Sequence, residues 1–521
     1  MGPTGPHADG PNTGGPSADG PGTSGPGARR PGANGLDTGG SGAGAHGADG
    51  LGASGPGTGG QGAGAPGAPG PGAAVPTVVV AGAGQRGETY ARRMRTTGAA
   101  RVVAVAEPDP GRRARFAAEH GLPPERVFPG WRELAAAGRI ADGAVIATQD
   151  AEHAAPAVAL AGLGYHILLE KPMATSEADA VAVLEAVERA GSMLAVCHVL
   201  RYSPYTRLLR ELIAAGRIGT PISVQHLEPV GWWHQAHSYV RGNWRREDES
   251  GPMLMTKSCH DVDWLVHVMG EIPERVSSFG RLSHFRPANR PAGAADRCLD
   301  CAVEPSCAYS AKKIYLPCLG DPDRERWPLG VLTADRTEAG VLAALREGPY
   351  GRCVYACDND VVDHQVVNME FPSGATGVFT MTAFTPYAQR QTRIFGSAGC
   401  VEGDGARVSL RDFVTGELEV FETGELSPDG RHDAADDALT DAFAAALAGG
   451  DPAPLSSDGR QSLASHRVVW AAERARRTGT VVTLTGADGT AAGGTGPNGT
   501  GDGSTGHGST GADNMEGTTT R

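Results

Sequence analysis

Residues 78–87 read Val-Val-Val-Ala-Gly-Ala-Gly-Gln-Arg-Gly, a β-branched run that leads directly into a glycine-rich turn. Gly82, Gly84 and Gly87 follow the spacing G-x-G-x-x-G, and the residues after them read as a helix. In such a turn the first glycine permits the bend, the second lets the backbone approach a pyrophosphate, and the third lets helix and strand pack closely. The helix N-terminus then offers free N–H groups to the phosphates. The stretch therefore predicts a dinucleotide-binding turn.

Strand-like and helical segments alternate for the next hundred residues or so. Apolar runs are predicted at 101–106, 144–147, 166–169 and 193–196, and helices at 89–97, 109–121, 152–163 and 176–190. This alternation is typical of a parallel sheet covered on both faces. Glu107 ends the second run, where an acid would bind a ribose 2′-hydroxyl. NAD is therefore favoured over NADP, although Arg112 or Arg113 could instead receive a 2′-phosphate.

The pattern changes after residue 200, where extended runs become dominant. A hairpin is predicted at Ser373-Gly374, and two helices follow near residues 434–448 and 459–475. We therefore predict an α/β chain with a dinucleotide-binding domain at 76–200. An α+β domain at 201–485 carries a large, mostly antiparallel sheet. Residues 1–75 and 486–521 are rich in Gly, Pro and Ala and are predicted to be disordered, because they cannot bury enough apolar surface.

The tripeptide Glu170-Lys171-Pro172 follows a predicted strand of the first domain. The carboxyl ends of parallel strands are where ligands bind in such sheets. A lysine at that place can donate a proton or stabilise charge on a substrate oxygen. Taken alone, the tripeptide is more typical of a surface turn.

Further motifs stand in order along the chain. They are Thr148-Gln149 with His153, Arg201-Tyr202 with Pro204, His260-Asp-Val-Asp263 and Arg393-Ile-Phe-Gly396. Together with the glycine-rich turn and Glu-Lys-Pro, they make residues 76–484 resemble the Gfo/Idh/MocA family of sugar dehydrogenases and reductases. The resemblance implies a Rossmann domain followed by an open-faced α/β domain, in an oligomer of identical chains. It also implies hydride transfer between a nicotinamide and a sugar-like alcohol or ketone.

By this resemblance Lys171 corresponds to the catalytic lysine and His260 to a catalytic histidine that accepts or donates the substrate proton. An imidazole suits that role because its ordinary pKa lies near neutrality. The predicted cofactor contacts are Gly82, Gly84, Gln85, Arg86, Gly87, Glu107, Thr148, Gln149, His153, Glu170, Lys171 and Arg201. Two other functions stay open: a redox-neutral glycosidase or lyase that retains NAD, and a non-catalytic cofactor-sensing protein.

The chain departs from the family pattern one turn before His260. Many members carry an aspartate four residues earlier, but Thr256 stands there and Lys257 follows. A hydroxyl and an ammonium cannot orient an imidazole as a carboxylate does. Either Asp261 or Asp363 supplies that carboxylate, or the proton relay differs.

Several polar and aromatic side chains of the second domain are candidate substrate contacts. They are Trp233, His234, Lys257, Asp261, Asp363 and His364. Aromatic rings with polar tips suit the faces of a sugar, although the tryptophan-rich segment is equally consistent with a packed plug under a long loop.

Nine cysteines make a poor disulfide framework, but three of them lie close together as Cys298-x2-Cys301-x5-Cys307. Cysteines at this spacing can share one metal, and tetrahedral zinc needs a fourth ligand, for which Cys318 and His284 are candidates. We therefore predict a structural zinc in a Cys-rich insertion at about residues 284–320. Buried free thiols are the alternative.

The net charge is −13, which argues against binding to a nucleic-acid backbone. The sequence contains neither an apolar run long enough for a membrane span nor a secretory leader pattern. These features favour a cytoplasmic protein with a small-molecule substrate and no membrane partner.

Overall fold

The computed structural model describes residues 74–386, 389–424 and 433–484. The predicted disordered tails, apart from residues 74 and 75, lie outside the described residues. None of the described helices is long and apolar enough to cross a bilayer.

The first sheet is parallel and has six strands. They are β1 (Thr77–Ala81), β2 (Arg101–Ala106), β3 (Val127–Phe128), β4 (Gly143–Ile146), β5 (His166–Leu169) and β6 (Leu194–Val196). Their order is β3-β2-β1-β4-β5-β6, which is the doubly wound arrangement predicted from the alternating pattern. The chain reverses its winding between β1 and β4, so the glycine-rich turn after β1 lies at the point where such sheets bind ligands.

Helices cover both faces of this sheet. They are α1 (Gln85–Thr97), α2 (Pro110–His120), α3 (Trp131–Ala136), α4 (Ala154–Gly162) and α5 (Glu177–Ala190). Two of them begin at the predicted capping residues, since the Asp109 side chain accepts a hydrogen bond from Arg112 N and Ser176 accepts one from Asp179 N. The β1 residues Val78, Val79 and Val80 are fully buried, as expected for a central strand packed on both sides.

The second sheet has nine strands and is mostly antiparallel. They are β7 (Pro221–Pro229), β8 (Arg275–Arg281), β9 (His364–Glu370), β10 (Thr376–Thr382), β11 (Gln391–Gly396), β12 (Gly399–Gly403), β13 (Arg407–Asp412), β14 (Leu418–Glu422) and β15 (Val482–Thr483). Their order is β14-β13-β12-β11-β7-β10-β9-β8-β15, and only the β7–β10 pair is parallel. β9 and β10 form the hairpin predicted at Ser373-Gly374. Alternate residues of both strands are buried, so one face packs on helices and the other is open.

Eleven α-helical segments accompany this sheet within the described residues. They are α6 (Pro204–Ala214), α7 (Trp232–His234), α8 (Glu247–Ser250), α9 (Met253–Thr256), α10 (Cys259–Met269), α11 (Ala311–Tyr315), α12 (Pro322–Arg324), α13 (Gly330–Leu332), α14 (Glu338–Glu347), α15 (Asp433–Gly449) and α16 (Gly459–Thr478). Two π-helical segments, Gln235–Arg241 and Glu325–Leu329, follow α7 and α12. Short 3-10 turns lie at Pro124–Arg126, Asp150–Glu152, Val199–Tyr202, Pro287–Asn289, Cys298–Asp300, Glu304–Ser306, Leu316–Cys318 and Pro349–Gly351.

The segment between β8 and β9 is larger than the predicted insertion at 284–320, and it forms an apolar core together with the π-helical segment Gln235–Arg241. Members of that core are Ala236, Val240, Phe285, Ile314, Tyr315, Leu329, Val341, Leu345, Tyr350 and Tyr355. The sequence pattern underestimated this core because its apolar residues come from short helices and turns without a regular period.

The last two long helices return to the first domain. In α15, Phe443 is buried in the core of that domain, and Asp436 receives two hydrogen bonds from Arg86 of α1. In α16, His466 accepts a hydrogen bond from Met173 N at 2.9 Å and donates one from Nδ1 to Ser462 O at 2.7 Å. The two domains are therefore joined through buried contacts near the Glu-Lys-Pro turn.

His466 makes the stability of this junction depend on pH. Burial lowers its pKa to about 4, whereas an unfolded histidine titrates near 6.5. Between these values the native state binds fewer protons than the unfolded state. The stabilisation is therefore complete above pH 6.5 and is lost as pH falls toward 4, by about 3 kcal/mol at most.

We expect His466→Gln to weaken this pH dependence, because the amide keeps a donor and an acceptor but does not titrate. Urea unfolding at pH 7 and at pH 4.5 measures it. The wild-type protein should lose more free energy of unfolding between the two conditions than the variant. Equal losses in both proteins would contradict the assignment.

Candidate active site

The glycine-rich turn leaves space for a bound dinucleotide and little space for larger side chains beneath it. Gly82 has φ +94°, and a Cβ there would lie 2.3 Å from the Ala147 carbonyl oxygen. A Cβ on Gly87 would lie 2.0 Å from the Gly82 carbonyl oxygen. A Cβ on Gly84, by contrast, meets no atom within 4 Å among the described residues. The first and third glycines are needed for packing, while the second faces open space, which fits a turn that a pyrophosphate approaches.

Glu107 lies at the carboxyl end of β2 and is 3% exposed. Its Oε2 accepts a hydrogen bond from Ala83 N at 2.8 Å, which ties it to the turn. Its Oε1 accepts from Arg112 Nη2 at 3.0 Å and from Asp109 N at 2.9 Å. A carboxylate at this end of β2 fits a ribose hydroxyl and repels a 2′-phosphate, although Arg112 partly neutralises it.

Arg86 connects the turn to the Glu-Lys-Pro segment. Its Nε donates to Glu170 Oε1 at 2.6 Å, and Glu170 also accepts from Tyr90 Oη at 2.5 Å. Burial opposes ionisation of Glu170, but the nearby Arg86 and Lys171 charges lower its pKa below the usual value. The second oxygen of Glu170 accepts from Lys171 N at 2.8 Å. Arg86 and Glu170 therefore fix the lysine backbone, while Gln85 lies exposed on the turn.

Lys171 follows β5 and reaches across to the second domain. Its Nζ donates to the carbonyl oxygen of Thr256 at 2.5 Å. Thr256 ends α9, one turn before His260 on α10. The lysine that follows the parallel sheet therefore contacts the backbone of the second domain one turn before His260.

His260 is nearly buried and lies beside charged groups. Its Nε2 faces Arg390 Nη2 at 3.0 Å, so this nitrogen accepts and Nδ1 carries the proton in the neutral ring. Asp261 Oδ2 lies 3.7 Å from the same nitrogen. Burial opposes ionisation of Asp261, but its ion pair with Arg390 and a hydrogen bond from His226 hold its pKa well below the usual range. Asp261, rather than the missing aspartate, is the carboxylate beside His260.

A second acid, Glu228, completes this polar group. It lies near the end of β7, where Oε1 is 2.9 Å from Lys257 Nζ and Oε2 is 2.8 Å from Arg390 Nη2. Two carboxylates, Glu228 and Asp261, thus face two cations, Lys257 and Arg390. Glu228 and Arg390 were not predicted from the sequence. Glu228 lies near the end of a strand that mixes apolar and polar residues, so little in the sequence marked it, and nothing marked Arg390.

Aromatic side chains lie next to this polar group. The ring of Trp327, from the insertion, lies 5.2 Å from Trp233 and 5.0 Å from His234. Burial lowers the pKa of His234 well below its usual value, and the charges of Lys257 and Lys171 lower it further. His234 is therefore near the two lysines, while Trp327, which was not predicted, packs against the rings of both Trp233 and His234.

The loop after β4 links the two domains. His153 is buried, with Nδ1 2.6 Å from Pro172 O and Nε2 3.2 Å from Thr148 O. Gln149 Oε1 accepts from Asn243 Nδ2 at 2.9 Å. Asp150, which was not predicted, accepts from Trp244 Nε1 at 2.9 Å, and burial raises its pKa. Thr148, Gln149 and His153 thus hold the loop against the Glu-Lys-Pro turn and the second domain.

Three predicted site residues make their contacts away from this group. Arg201 is 3% exposed and forms a bidentate pair with Asp263, at 2.7 and 2.6 Å, so its predicted contact with the cofactor stays a prediction. Asp363 accepts from Ser283 N and His284 N and anchors the start of the insertion. His364 lies 2.8 Å from Asp363 and opens onto the outer face of the second sheet.

The proposed zinc ligands are only partly brought together. Cys298, Cys301 and Cys307 line one small cavity. Cys318 is buried with its Sγ donating to Ile314 O at 3.2 Å, and His284 Nε2 contacts Tyr355 Oη at 3.1 Å. Neither of these two candidates lines the cavity. Within the described ranges, no group of three or more His, Cys, Asp or Glu side chains has the spacing of an assembled metal centre.

Comparison with known proteins agrees with this architecture. The family model described as "Oxidoreductase family, NAD-binding Rossmann fold" matches residues 77–198, and the one described as "Oxidoreductase family, C-terminal alpha/beta domain" matches residues 210–484. A solved inositol dehydrogenase homolog from Azotobacter vinelandii, complexed with NAD+, superposes with a TM-score of 0.57. It is 19% identical, and the match covers 79% of this chain and 98% of that one. At this identity the likeness establishes the fold alone.

Curated relatives match over shorter stretches. The 2,7-anhydro-N-acetylneuraminate hydratase of Escherichia coli (strain K12) is 27% identical over 40% of this chain and 54% of its own length. The 1,5-anhydro-D-fructose reductase of Ensifer adhaerens is 30% identical over 34% of this chain and 52% of its own length. The chain thus spans about half the length of these curated relatives. With both domain models matched in order, the chain belongs to the Gfo/Idh/MocA oxidoreductase family, with its NAD-binding Rossmann domain and its C-terminal α/β domain.

Proposed function

We propose that the chain is an NAD-dependent oxidoreductase that transfers a hydride between the nicotinamide and a carbohydrate-like alcohol or ketone. The observation that carries the proposal is the Lys171 Nζ bond to Thr256 O, one turn before His260. This contact brings a proton donor from the end of β5 and an imidazole from α10 to the same place. When bound, a nicotinamide would supply the hydride for reduction or receive it in oxidation, and the protein would correspondingly donate or accept the proton.

Lys171 is suited to stabilise the substrate oxygen. Its ammonium has three donors, and the bond to Thr256 O uses one of them. The remaining donors can face a hydroxyl or carbonyl oxygen of the substrate. Arg86 and Glu170 hold the lysine backbone, so the ammonium is oriented before substrate binds.

His260 is suited to carry the substrate proton. A neutral imidazole with an acceptor nitrogen can take a hydroxyl proton during oxidation and return it during reduction. Asp261 can stabilise the imidazolium that forms, because its pKa is held low and it stays ionised. Arg390 competes for the same nitrogen, so we infer that its side chain shifts toward Glu228 when substrate binds.

Lys257, Glu228 and Arg390 offer donors and acceptors to the other hydroxyl groups of a sugar. Trp233 and His234 offer ring faces, which suit the C–H faces of a pyranose. Charged hydrogen-bonding groups beside aromatic rings favour a polyhydroxylated substrate over an apolar one. The relatives named as an anhydrofructose reductase and an anhydroneuraminate hydratase fit this substrate class.

NAD is preferred over NADP in this proposal because Glu107 directly follows β2. This preference is supported by the position of the Glu107 carboxylate, which accepts a hydrogen bond from Ala83 N of the turn. Arg112 is held by Glu107, so a 2′-phosphate would have to break that pair and meet the carboxylate. An identical-chain oligomer and a cytoplasmic location remain part of the proposal, on the family resemblance alone.

A redox-neutral reaction with retained NAD is the second candidate. Arg326 of the insertion donates from Nη2 to Thr89 Oγ1 of α1 at 3.1 Å, so the insertion reaches the helix that follows the dinucleotide turn. Such a bridge would slow release of a bound dinucleotide. Retained cofactor is what a hydratase or lyase cycle through a transient ketone requires.

One experiment separates the two candidates. The protein is denatured after purification and its released nicotinamide is quantified, and it is then assayed with sugars, polyols and their keto forms. Net change in reduced nicotinamide upon substrate addition supports the dehydrogenase. Product formation without net change, from protein that retains its cofactor, supports the redox-neutral cycle. If the protein binds neither nicotinamide coenzyme, both proposals fall.

A further inference from the structure

A small cavity in the insertion is lined by more cysteines than the sequence pattern indicated. Its volume is about 20 Å³, which holds roughly one water-sized guest. The cysteines that line it are Cys298, Cys301, Cys307 and Cys353. Cys353 lies far along the chain from the other three, so sequence spacing alone did not point to it.

Backbone hydrogen bonds hold the four cysteines around this cavity. An isolated bridge pairs Arg297 with Arg352, and Cys353 N donates to Asp296 O at 2.8 Å. Cys298 directly follows Arg297, and Cys353 directly follows Arg352. The two cysteines are therefore neighbours. Two successive turns, Glu304 N to Cys301 O at 3.2 Å and Cys307 N to Glu304 O at 3.0 Å, bring the remaining two cysteines back to the cavity.

A buried guanidinium lines the same cavity. Arg241, the last residue of the first π-helical segment, is 1% exposed. Its Nε donates to Arg352 O at 2.8 Å, and its Nη2 donates to Tyr309 O at 2.8 Å and faces Cys298 Sγ at 3.5 Å. Its Nη1 has no hydrogen-bond partner within the described ranges.

This guanidinium lacks an anionic partner. Among the ion pairs found in the described residues, none joins Arg241 to a carboxylate, and its hydrogen bonds go to carbonyl oxygens and to Cys298 Sγ. Glu304 also lines the cavity, but its carboxylate is paired with Lys312 at 2.8 Å and bonded to Ser310 Oγ. Burying an unpaired charge costs several kcal/mol unless an opposite charge lies nearby. Four neutral thiols do not supply that charge, whereas four thiolates on one divalent ion carry a net charge of −2.

We propose that Cys298, Cys301, Cys307 and Cys353 bind one Zn²⁺, with Arg241 as the buried counter-charge of the tetrathiolate. The four thiols lose four protons to solvent as four zinc–sulfur bonds form, and no electron is transferred. Cys301 and Cys307 are only partly buried, so their side chains can rotate toward the ion. The site links the start of the insertion to the segment before β9. It is independent of the proposed function.

The first test uses the full wild-type chain purified without chelator. Metal analysis is expected to find about one zinc per chain, bound through four sulfurs at about 2.3 Å by X-ray absorption. Thiol titration of the native protein should spare Cys298, Cys301, Cys307 and Cys353. A denatured sample with chelator should expose all nine thiols. Absence of metal, iron in place of zinc, or a disulfide between any two of the four would overturn the proposal.

Matched cysteine variants identify the fourth ligand. Cys353→Ser should lose most of its zinc, whereas Cys318→Ser should retain it, because Cys318 is equally buried but lies off the cavity. Zinc retained in Cys353→Ser would overturn the ligand set. If Cys353→Ser does not fold, identification of the protected cysteines in the wild-type protein by mass spectrometry decides the same point.

Arg241 is tested by a charge series. Arg241→Gln should lower zinc affinity at least about tenfold in competition with a chromophoric chelator. Arg241→Lys should restore part of this affinity, because lysine keeps the positive charge that attracts the tetrathiolate. Equal affinity in Arg241→Gln and wild type would remove the counter-charge role.

Discussion

Replacing Lys171 by alanine is expected to lower kcat by about 10²- to 10⁴-fold, the usual contribution of a positioned proton donor. The ammonium is the group that reaches from β5 to Thr256 O beside His260, so its loss removes the charge that stabilises the substrate oxygen. NAD affinity should be largely kept, because the turn and Glu107 are untouched. Steady-state kinetics and calorimetry with NAD measure the two quantities separately.

Lys312→Ala is the matched control. Lys312 is a partly exposed lysine whose Nζ pairs with Glu304 at 2.8 Å in the insertion. Its removal should leave both kcat and NAD affinity unchanged. Lys171→Arg is informative as well, since a longer and bulkier cation keeps the charge but cannot place one compact ammonium at the same point. Full turnover in Lys171→Ala would contradict the role proposed for the lysine, whatever the substrate.

Much of the fold could be predicted because its signals are local. The β-branched run before Gly82 predicted the central strand, and Asp109 and Ser176 predicted two helix starts through their capping side chains. The Ser373-Gly374 turn likewise predicted the β9–β10 hairpin. Short elements such as β3 and β14, and the core of the insertion, were missed because two- to five-residue segments carry no readable period.

The candidate site was predictable where function constrains spacing, and was missed where distant segments meet. Lys171 and His260 come from motifs of the resemblance, and the structure places them on adjoining elements. Glu228, Arg390 and Trp327 come from three separate segments, and only tertiary packing assembles them. For Arg201, the motif is present in the sequence but did not indicate the buried pair that its side chain forms with Asp263.

Replacing Gly84 by alanine is expected to weaken NAD binding about tenfold or more while leaving the fold intact, which corresponds to about 1.4 kcal/mol of binding free energy. Its backbone has φ −77°, which any residue adopts, and its Cβ would meet no atom of the described residues within 4 Å. The methyl group would instead occupy the space through which a pyrophosphate approaches the turn. Calorimetry with NAD and a thermal melt of the same sample measure both effects.

Gly82→Ala should behave differently, because the substitution destabilises the folded protein itself. At φ +94° an alanine is strained by about 1–3 kcal/mol. Its Cβ would also meet the Ala147 carbonyl oxygen at 2.3 Å, which is backbone and cannot rotate away. We therefore expect a lower melting temperature even without cofactor. A wild-type melting temperature for Gly82→Ala would contradict the packing described for this turn.

Gly162→Ala separates the loss of a glycine from the loss of the cofactor site. Gly162 ends α4, and its Cβ would likewise meet no atom within 4 Å of the described residues, so alanine should be neutral or stabilise by up to about 1 kcal/mol. Gly84 and Gly162 are alike in having room for a methyl group, but only Gly84 lies on the proposed pyrophosphate path. If both variants bind NAD as the wild type does, the dinucleotide does not cross the turn. The hydride-transfer proposal would then lack the cofactor position on which Lys171 and His260 depend.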